Sequence, residues 1–279
     1  MISKDRRNDP ELRMYGLMNS KMSDEEIDAQ EENKKRATRL KGEFGSLRIS
    51  ANDIVLTNDF HTPCQDRLLV ERMYRAADEY GIKKLAVIGD FWDCDFYKNT
   101  DKYTNLMWFE AFKDEKRMVA EQLTDLLVHF KEVYFCRGNH EMRWIKQNKG
   151  MVGMDELFAI TKVKGNYKVS LDDHIVLDQG DKTWLLIHPE KYNDKELTVS
   201  KNVCEKVQCN VVSGHGHQLA RGFDKTGTYR VVDNGGMFDA DQIEYLRRTT
   251  TFPSVMSGFN LLMDNYLIEY PGHGASKLF

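Results

Sequence analysis

The sequence predicts an α/β fold, and three observations support this. Short apolar runs of strand length recur from residue 53 onward. Between the first two runs, residues 66–80 carry apolar side chains at helical spacing and end at Gly81, a residue type that commonly follows a helix. Asp, Asn and His residues, whose side chains can bind a metal ion or a proton, directly follow several of the predicted strands. The sequence therefore predicts an α/β domain with a site at the carboxyl ends of its strands.

The predicted elements alternate at first and become richer in strands toward the end of the chain. Strands are expected at residues 53–57, 85–88 and 133–136, with helices over 66–80 and roughly 110–130 between them. Further strands are expected at residues 175–178, 183–188, 210–213, 229–233, 261–263 and 266–270. We expect this part, residues 49–279, to form one domain.

Residues 1–48 differ in texture and are predicted to form a separate helical N-terminal extension. Six acidic residues between positions 24 and 32 precede six basic residues between positions 34 and 48. A helix favours acids near its start and bases near its end, so one solvated helix with ion pairs is the favoured interpretation. A nucleic-acid-binding arm and a helix-turn-helix are the alternatives.

Composition excludes several classes of protein. The chain has 279 residues, with 40 Lys+Arg against 44 Asp+Glu, so its formal net charge is −4. This balance argues against coating of long nucleic acid through bulk charge, although it leaves a local basic patch open. No run of about eighteen apolar residues predicts a membrane span. The five cysteines form no CxxC pair, and the first residues lack the apolar core of a secretory signal, so we expect a cytoplasmic protein.

Five segments after predicted strands hold the residues that carry chemistry. They are residues 58–61 (NDFH), 89–93 (GDFWD), 137–141 (RGNHE), 188–189 (HP) and 213–217 (SGHGH). Five of the eight histidines lie in these segments, whereas His129, His174 and His273 are interpreted as structural or surface residues. Asp, Asn and His together suit Mn, Fe, Zn or Ni. Their number exceeds the need of one tetrahedral ion and favours two.

The motifs DxH, GDxxD, GNHE, H and GHxH, in this order, resemble those of the calcineurin-like metallophosphoesterase superfamily. The resemblance covers residues from about 52 to 236. It implies a four-layer α/β/β/α sandwich with a dinuclear metal centre at the loops that follow the strands. It also implies a phosphoester hydrolase.

The resemblance further implies a role for each motif residue. One ion would be held by Asp59, His61 and His217, and the other by Asn139, His188 and His215, with Asp90 bridging them. His140 would be the catalytic histidine that protonates or stabilises the leaving oxygen. Asp93 would orient His140, and Glu141 is expected to orient a neighbouring group.

The expected reaction is hydrolysis of a phosphodiester, of nucleotide or nucleic-acid type, by attack of a metal-bridged hydroxide. Two divalent ions are the expected cofactors, with Mn²⁺ favoured and Fe, Zn and Ni as alternatives. A phosphomonoesterase with the same centre is the alternative enzyme. A weakly catalytic binding protein of the same fold is the alternative from another class, and a homodimer remains open.

Two departures bear on the substrate. Protein Ser/Thr phosphatases follow GDxxD with a phosphate-binding arginine, whereas this chain has Cys94, which disfavours a protein phosphatase. Residues 91–112 contain eight aromatic residues. Phe91 and Trp92 are predicted to contact substrate by stacking on a base, worth about 1–3 kcal/mol each, and core or interface packing is the alternative. Arg137 and Arg143 are expected to contact phosphate or to form surface ion pairs.

Overall fold

The computed structural model describes residues 47–94, 105–243 and 255–272, and the side chains of 105–109 are not among the described parts. The predicted N-terminal extension therefore lies outside the described residues, except for Leu47 and Arg48. These two residues already belong to the first strand, Leu47–Ser50. His273 also lies outside, as do the aromatic residues at positions 96, 97 and 103.

Twelve strands and five helices make up the described residues. In chain order, they are β1 (Leu47–Ser50), β2 (Asp53–Thr57), α1 (Arg67–Glu79), β3 (Lys84–Ile88), α2 (Asn105–His129), β4 (Glu132–Cys136), α3 (Asn139–Gln147), α4 (Met154–Ala159), β5 (Tyr167–Val169), β6 (His174–Gln179), β7 (Lys182–Ile187), α5 (Thr198–Val207), β8 (Asn210–Ser213), β9 (Leu219–Phe223), β10 (Arg230–Asn234), β11 (Gly258–Met263) and β12 (Tyr266–Pro271). All strands and both helices predicted for residues 49–279 are present, and α2 begins five residues earlier than expected.

The strands form two six-stranded mixed sheets. One sheet has the order β12-β11-β2-β3-β4-β5, in which β2 to β5 run parallel and β11 and β12 form an antiparallel edge. The other has the order β1-β6-β7-β8-β10-β9, in which β7, β8 and β10 run parallel. The carboxyl ends of β2, β3 and β4 therefore share one edge of the first sheet, and those of β7 and β8 share one edge of the second.

The alternation of side chains along each strand builds the layers. In β3, Ala86 and Ile88 face a core shared by the two sheets, to which the second sheet contributes Trp184 and Leu186. The neighbouring residues Leu85 and Val87 face the opposite way, into a core with helices α1 and α2. Helix α5 covers the outer face of the second sheet through Cys204. The predicted four-layer α/β/β/α sandwich is confirmed.

Local signals explain helix α1. The Asp66 side chain accepts hydrogen bonds from the backbone N–H groups of Leu68 and Leu69, at 3.0 and 3.1 Å, and so caps the helix start. Its buried face includes Met73 and Ala76, which pack in the core beneath the first sheet. Among the described helices, none is long and apolar enough to cross a bilayer.

Candidate metal centre

The five predicted segments meet at one edge of the sandwich. The β2 and β3 loops are joined by backbone hydrogen bonds from Asp59 N–H to the Gly89 carbonyl and from His61 N–H to the Asp90 carbonyl, each 3.0 Å. On the second sheet, the Gly214 N–H donates to the Ile187 carbonyl at 3.0 Å. Parallel pairing within each sheet, and packing of one sheet on the other, bring these loops together.

Backbone strain is concentrated in these loops. Five of the predicted ligands have positive φ angles: Asp59 (49°), His61 (45°), Asp90 (51°), His215 (68°) and His217 (50°). Left-handed conformations of residues other than glycine cost energy and persist only where surrounding contacts enforce them. Such clusters are typical of functional sites, where side chains must converge on one point.

Among the described residues, three overlapping groups of side chains could each hold a metal ion, with their ligand atoms within 4.8 Å of one another. Asp59, His61 and His217 form the first group, and Asp90, His188 and His215 form the second. The third group, His61, Asp90 and His140, takes one residue from each of these two. In the first group, His217 Nε2 lies 3.1 Å and His61 Nε2 lies 3.6 Å from Asp59 Oδ1.

In the second group, His188 Nε2 lies 3.3 Å from Asp90 Oδ2 and 2.9 Å from Asn139 Oδ1. His61 Nε2 also lies 3.9 Å from Asp90 Oδ2, so Asp90 stands between the groups. The structure therefore brings together all seven predicted ligands.

The centre contains buried carboxylates, whose negative charge must be balanced by nearby cations. Burial alone would raise the pKa of Asp59, but nearby His217 and His188 hold it well below its ordinary value. Burial would likewise raise the pKa of Asp90, which His188 and His140 hold low.

The same carboxylates act on the histidines. Burial alone would lower the pKa of His61, but hydrogen bonds to Asp59 and Asp93 raise it to about 10. Burial also opposes the charged form of His188, whereas Asp90 and Asp59 raise its pKa to about 9. Metal ions would replace the protons that these carboxylates otherwise attract.

Hydrogen bonds at Nδ1 of His61 and of His188 orient Nε2 of each ring toward the centre. His61 Nδ1 lies 3.0 Å from Asp93 Oδ1, and His188 Nδ1 lies 2.9 Å from the Ile88 carbonyl oxygen. Each partner accepts an Nδ1 proton, which leaves Nε2 with its lone pair toward the centre. These contacts are the support that a metal-binding histidine requires.

His140 lies beside both groups and is held from two sides. Its Nδ1 is 2.5 Å from the Asp93 carbonyl oxygen and 3.1 Å from Asp93 Oδ1, while its Nε2 is 3.9 Å from Asp90 Oδ2. The Arg143 guanidinium lies one turn further along α3, with Nη2 at 2.8 Å from His140 Nε2. Burial lowers the pKa of His140, with Asp90 opposing that effect. Arg143 thus contacts the catalytic histidine predicted from the sequence, and its contact with phosphate remains a prediction.

Glu141 organises the loops around the centre. Its buried carboxylate accepts hydrogen bonds from the backbone N–H groups of Asp90 (3.1 Å), Trp92 (2.9 Å) and Gly138 (2.9 Å). Burial and the charge of Asp90 raise its pKa to about 7. The glutamate stands three residues after the helix N-cap, a pattern that indicates a capping role in sequence alone.

A chain of buried amides, which sequence reasoning missed, leads to Asp59. Asn260 Nδ2 donates to Asn234 Oδ1 at 2.6 Å, and Asn234 Nδ2 donates to Asn58 Oδ1 at 2.7 Å. Asn58 Nδ2 in turn donates to Asp59 Oδ2. An asparagine within a buried strand, as at position 260, is the signal that could have revealed it.

The predicted stacking residues require a correction. Phe91 is 1% exposed and Trp92 is 0% exposed, and both belong to the core beneath the first sheet. Phe91 packs against Phe60 and Phe135 at centroid distances of 5.4 and 4.9 Å. Neither ring offers a free face to a base, because both consecutive side chains turn into the core while Asp90 and Asp93 on either side face the centre.

Two further positions complete the surroundings. Arg137 is half-buried, and its Nη1 donates to the Leu171 carbonyl at 3.3 Å, so a role in substrate binding remains a prediction. Cys94 is buried, and burial together with Glu115 raises the pKa of its thiol well above the ordinary value. A thiol in that state is a packed core group, as its position in sequence indicated.

The donor set fits two divalent ions. Each group offers one carboxylate and two imidazoles, Asn139 adds an amide oxygen beside His188, and Asp90 can reach both groups. Mixed nitrogen and oxygen donors of this kind suit borderline and hard divalent metals. The strained loops and the outer hydrogen bonds hold these donors in place.

Comparisons with solved structures return low-identity likenesses. The phosphoesterase Yfce from E. coli is 13% identical, with a TM-score of 0.40, covering 77% of this chain and 90% of that chain. Vps29 from Entamoeba histolytica, complexed with Zn²⁺, is 13% identical with a TM-score of 0.42, covering 80% and 94%. Vps29 from Chaetomium thermophilum is 14% identical with a TM-score of 0.39, covering 76% and 80%. A search of curated proteins finds no match.

The family itself rests on a separate comparison. The sequence model of the calcineurin-like phosphoesterase family matches residues 53–252, from the first residue of β2 to beyond the last predicted ligand. This span holds all five motif segments and all the candidate metal ligands. The chain therefore belongs to the calcineurin-like phosphoesterase family.

Proposed function

We propose that the protein is a two-metal phosphodiesterase. The observation that carries this proposal is a pair of side-chain groups in which Asp90 belongs to one group and lies 3.9 Å from His61 of the other, with His140 directly beside them. Asp59, His61 and His217 would hold one ion, while Asn139, His188 and His215 would hold the other. Mn²⁺ is the favoured metal, because carboxylate and amide oxygens complement the imidazoles.

Bound there, two divalent ions supply Lewis acidity and a water of lowered pKa. The protein's own residues perform the remaining tasks. Asp93 holds the Nδ1 side of His140, while Nε2 lies 2.8 Å from Arg143 Nη2 and 3.9 Å from Asp90 Oδ2. To protonate a leaving oxygen, the imidazole must take up a proton at Nε2, and the Arg143 contact at that nitrogen must open. An alkoxide leaves poorly without a proton, so this step matters most for an alkyl diester.

Charge favours a diester over a monoester. A diester carries one negative charge at its phosphate, whereas a monoester carries up to two and needs more cationic contacts. Cys94 occupies the position of an arginine in protein Ser/Thr phosphatases, and the Arg143 guanidinium is engaged with His140 and with the Asp93 carbonyl, 3.2 Å away. The cationic contacts at the site therefore suit the single negative charge of a diester better than the two charges of a monoester.

The test compares bis(p-nitrophenyl) phosphate with p-nitrophenyl phosphate, in the presence of Mn²⁺ and after chelation. We expect chelator-sensitive hydrolysis with a higher kcat/KM for the diester, and Zn²⁺, Fe²⁺ and Ni²⁺ are assayed in parallel. Preference for the monoester would favour the phosphatase alternative. Hydrolysis of neither compound would favour a binding protein of the same fold.

Matched variants separate catalysis from metal binding. On an alkyl diester, whose leaving alkoxide needs a proton, His140→Asn should lower kcat by about a hundredfold or more while the bound metal remains. Asp90→Asn should lose both activity and bound metal, because the Asp90 carboxylate would contact both ions. Loss of metal in the His140 variant would assign that histidine to the ligand set instead.

A further inference from the structure

An exposed aromatic ring stands beside the candidate metal centre. The Tyr192 ring lies with its centroid 6.2 Å from that of His215, at an interplanar angle of 85°. His215 in turn stands 5.1 Å from His188, in the group that includes Asp90. Tyr192 is 57% exposed, whereas Phe238, which also contacts ligand histidines, is 1% exposed. Among the described residues, Tyr192 is thus the exposed aromatic in contact with this centre.

Hydrogen bonds from Gln218 and to Asp233 hold the loop that carries Tyr192 in place. It begins at Pro189, directly after His188, and the Gln218 side chain donates to the Asp194 carbonyl at 2.6 Å. At its end, the buried Asp233 carboxylate accepts from the Leu197 N–H at 2.5 Å. Asp233 also accepts from the Ser213 hydroxyl at 2.8 Å, which ties the loop to β8. A ring on a loop held in this way loses little freedom when it binds a ligand.

The position of the ring suits a planar ligand whose phosphate is held at the metal centre. The loop carries two exposed lysines, Lys191 and Lys195, and three exposed acids, Glu190, Asp194 and Glu196, so the metal ions rather than the loop would attract the phosphate. A nucleotide places its base one sugar away from its phosphate, so a phosphate at the metal centre would bring the base to the mouth where Tyr192 stands. A flat base can stack on an exposed tyrosine irrespective of its sequence.

We propose that Tyr192 is the residue on which the nucleobase of a nucleotide phosphoester stacks while its phosphate lies at the metal centre. This inference rests on the proposed phosphodiesterase function and names its substrate class. Tyr192 takes the role that sequence reasoning gave to Phe91 and Trp92.

The experiment measures binding rather than turnover. The Mn²⁺-loaded full chain is titrated calorimetrically with AMP, a product of diester cleavage, and with ribose 5-phosphate, which lacks only the base. We expect AMP to bind about tenfold more tightly, which corresponds to about 1.4 kcal/mol. Tyr192→Ala should weaken AMP binding to the level of ribose 5-phosphate, and Tyr192→Phe should preserve the difference.

Two variants make the result decisive. Tyr266→Ala is the matched control, since Tyr266 is 73% exposed and pairs with Met263 at the end of the sheet opposite the metal loops. It should leave both affinities unchanged. Tyr192→Leu keeps apolar bulk without a ring, and a retained preference for AMP in this variant would overturn stacking.

The remaining outcomes separate the two proposals. Equal weakening of AMP and ribose 5-phosphate by Tyr192→Ala, or equal affinities in the unaltered protein, would overturn the role of Tyr192. Diester hydrolysis would stand in either case. Base-dependent binding that needs Tyr192, in a protein that hydrolyses no diester, would reject the proposed reaction and retain the nucleotide site.

Discussion

At the scale of single residues, Asp93 links catalysis to metal binding. One of its carboxylate oxygens, Oδ1, lies 3.0 Å from His61 Nδ1 and 3.1 Å from His140 Nδ1. Burial would raise the pKa of this carboxyl, but the two histidines hold it below its ordinary value. The sequence indicated support of His140 alone, whereas the structure adds a predicted metal ligand to the same oxygen.

Replacement of this carboxylate should therefore have two effects. Asp93→Asn keeps an acceptor oxygen but removes the charge, so we expect kcat to fall about a hundredfold and metal affinity to fall about tenfold. Both are measured on one preparation, by steady-state kinetics and by equilibrium titration with Mn²⁺. Unchanged metal affinity would show that Asp93 acts on His140 alone.

The raised pKa values of His61 and His188 couple the centre to pH. In the metal-free protein their pKa values are about 10 and about 9, against an ordinary value of 6.5, so both rings are protonated at neutral pH. Their protonation stabilises the metal-free fold fully below the ordinary pKa and ceases to do so as pH rises through the raised values. Metal ions bind only the neutral rings and so replace these protons.

Metal binding at neutral pH should accordingly release about two protons. Apparent affinity should rise with pH until the raised pKa values are passed. Calorimetric titrations with Mn²⁺ in two buffers of different ionisation enthalpy measure the release. His61→Gln should release about one proton fewer, whereas His174→Gln, outside the centre, should match the unaltered protein. Binding without proton release would contradict the charge balance described for the site.

At the scale of elements, the turn before helix α3 fits directly against the β3 loop. A Cβ atom on Gly138 would stand 2.1 Å from Asp90 Oδ1 and 2.4 Å from Asp90 N. The His140 N–H donates to the same carboxylate oxygen at 2.8 Å. The glycine of the GNHE motif is thus needed for close approach, because any side chain there would displace the residue shared by both groups.

Gly138→Ala should abolish metal binding, because the clash involves the backbone of Asp90 as well as its side chain. We also expect the free energy of unfolding to fall by about 1–3 kcal/mol, as overpacking of a core does. Gly216→Ala is the control in another metal loop, where the nearest atom to a new Cβ is Gln218 Oε1 at 4.0 Å. Metal content and urea denaturation compare the two proteins, and equal effects would contradict the steric explanation.

At the scale of the whole molecule, the centre joins the two sheets. β2, β3 and β4 contribute their loops from one sheet, and β7 and β8 contribute theirs from the other. Between the sheets, the shared core includes Leu56, Ile88 and Trp184, all fully buried. Ions held by loops from both sheets bind the folded chain only, so they should stabilise the sandwich as a unit.

Metal should therefore raise the thermal stability of the protein. At a free metal concentration one hundred times the Kd, the gain is about 2.7 kcal/mol, which for a domain of this size shifts Tm by roughly 5 to 10 °C. Thermal unfolding with Mn²⁺ and after chelation tests this. Asp90→Asn should lose most of the shift, and an undiminished shift in that variant would place the stabilising ions elsewhere.

Sequence periodicity predicted the elements that bury a continuous face. Residues 85–88, for example, lie within β3, where all four are apolar and buried. The short strand Tyr167–Val169 was missed, because alternation over three residues is too brief to indicate a strand. The strand Leu219–Phe223, at the edge of its sheet, was missed because only Ala220 in it is buried.

The sequence by itself determined the family resemblance and the candidate ligands, because polar residues placed directly after buried strands are confined to one edge of an α/β sheet. Only the tertiary structure decided which neighbouring side chains face that edge. In the folded chain, the side chains of Phe91 and Trp92 are buried in the core, and Tyr192 lies beside His215. It also placed the asparagines that support Asp59, although Asn58 and Asn260 lie far apart in the chain. The reason is physical: adjacent residues of a turn point in different directions, and the packing of two sheets sets those directions.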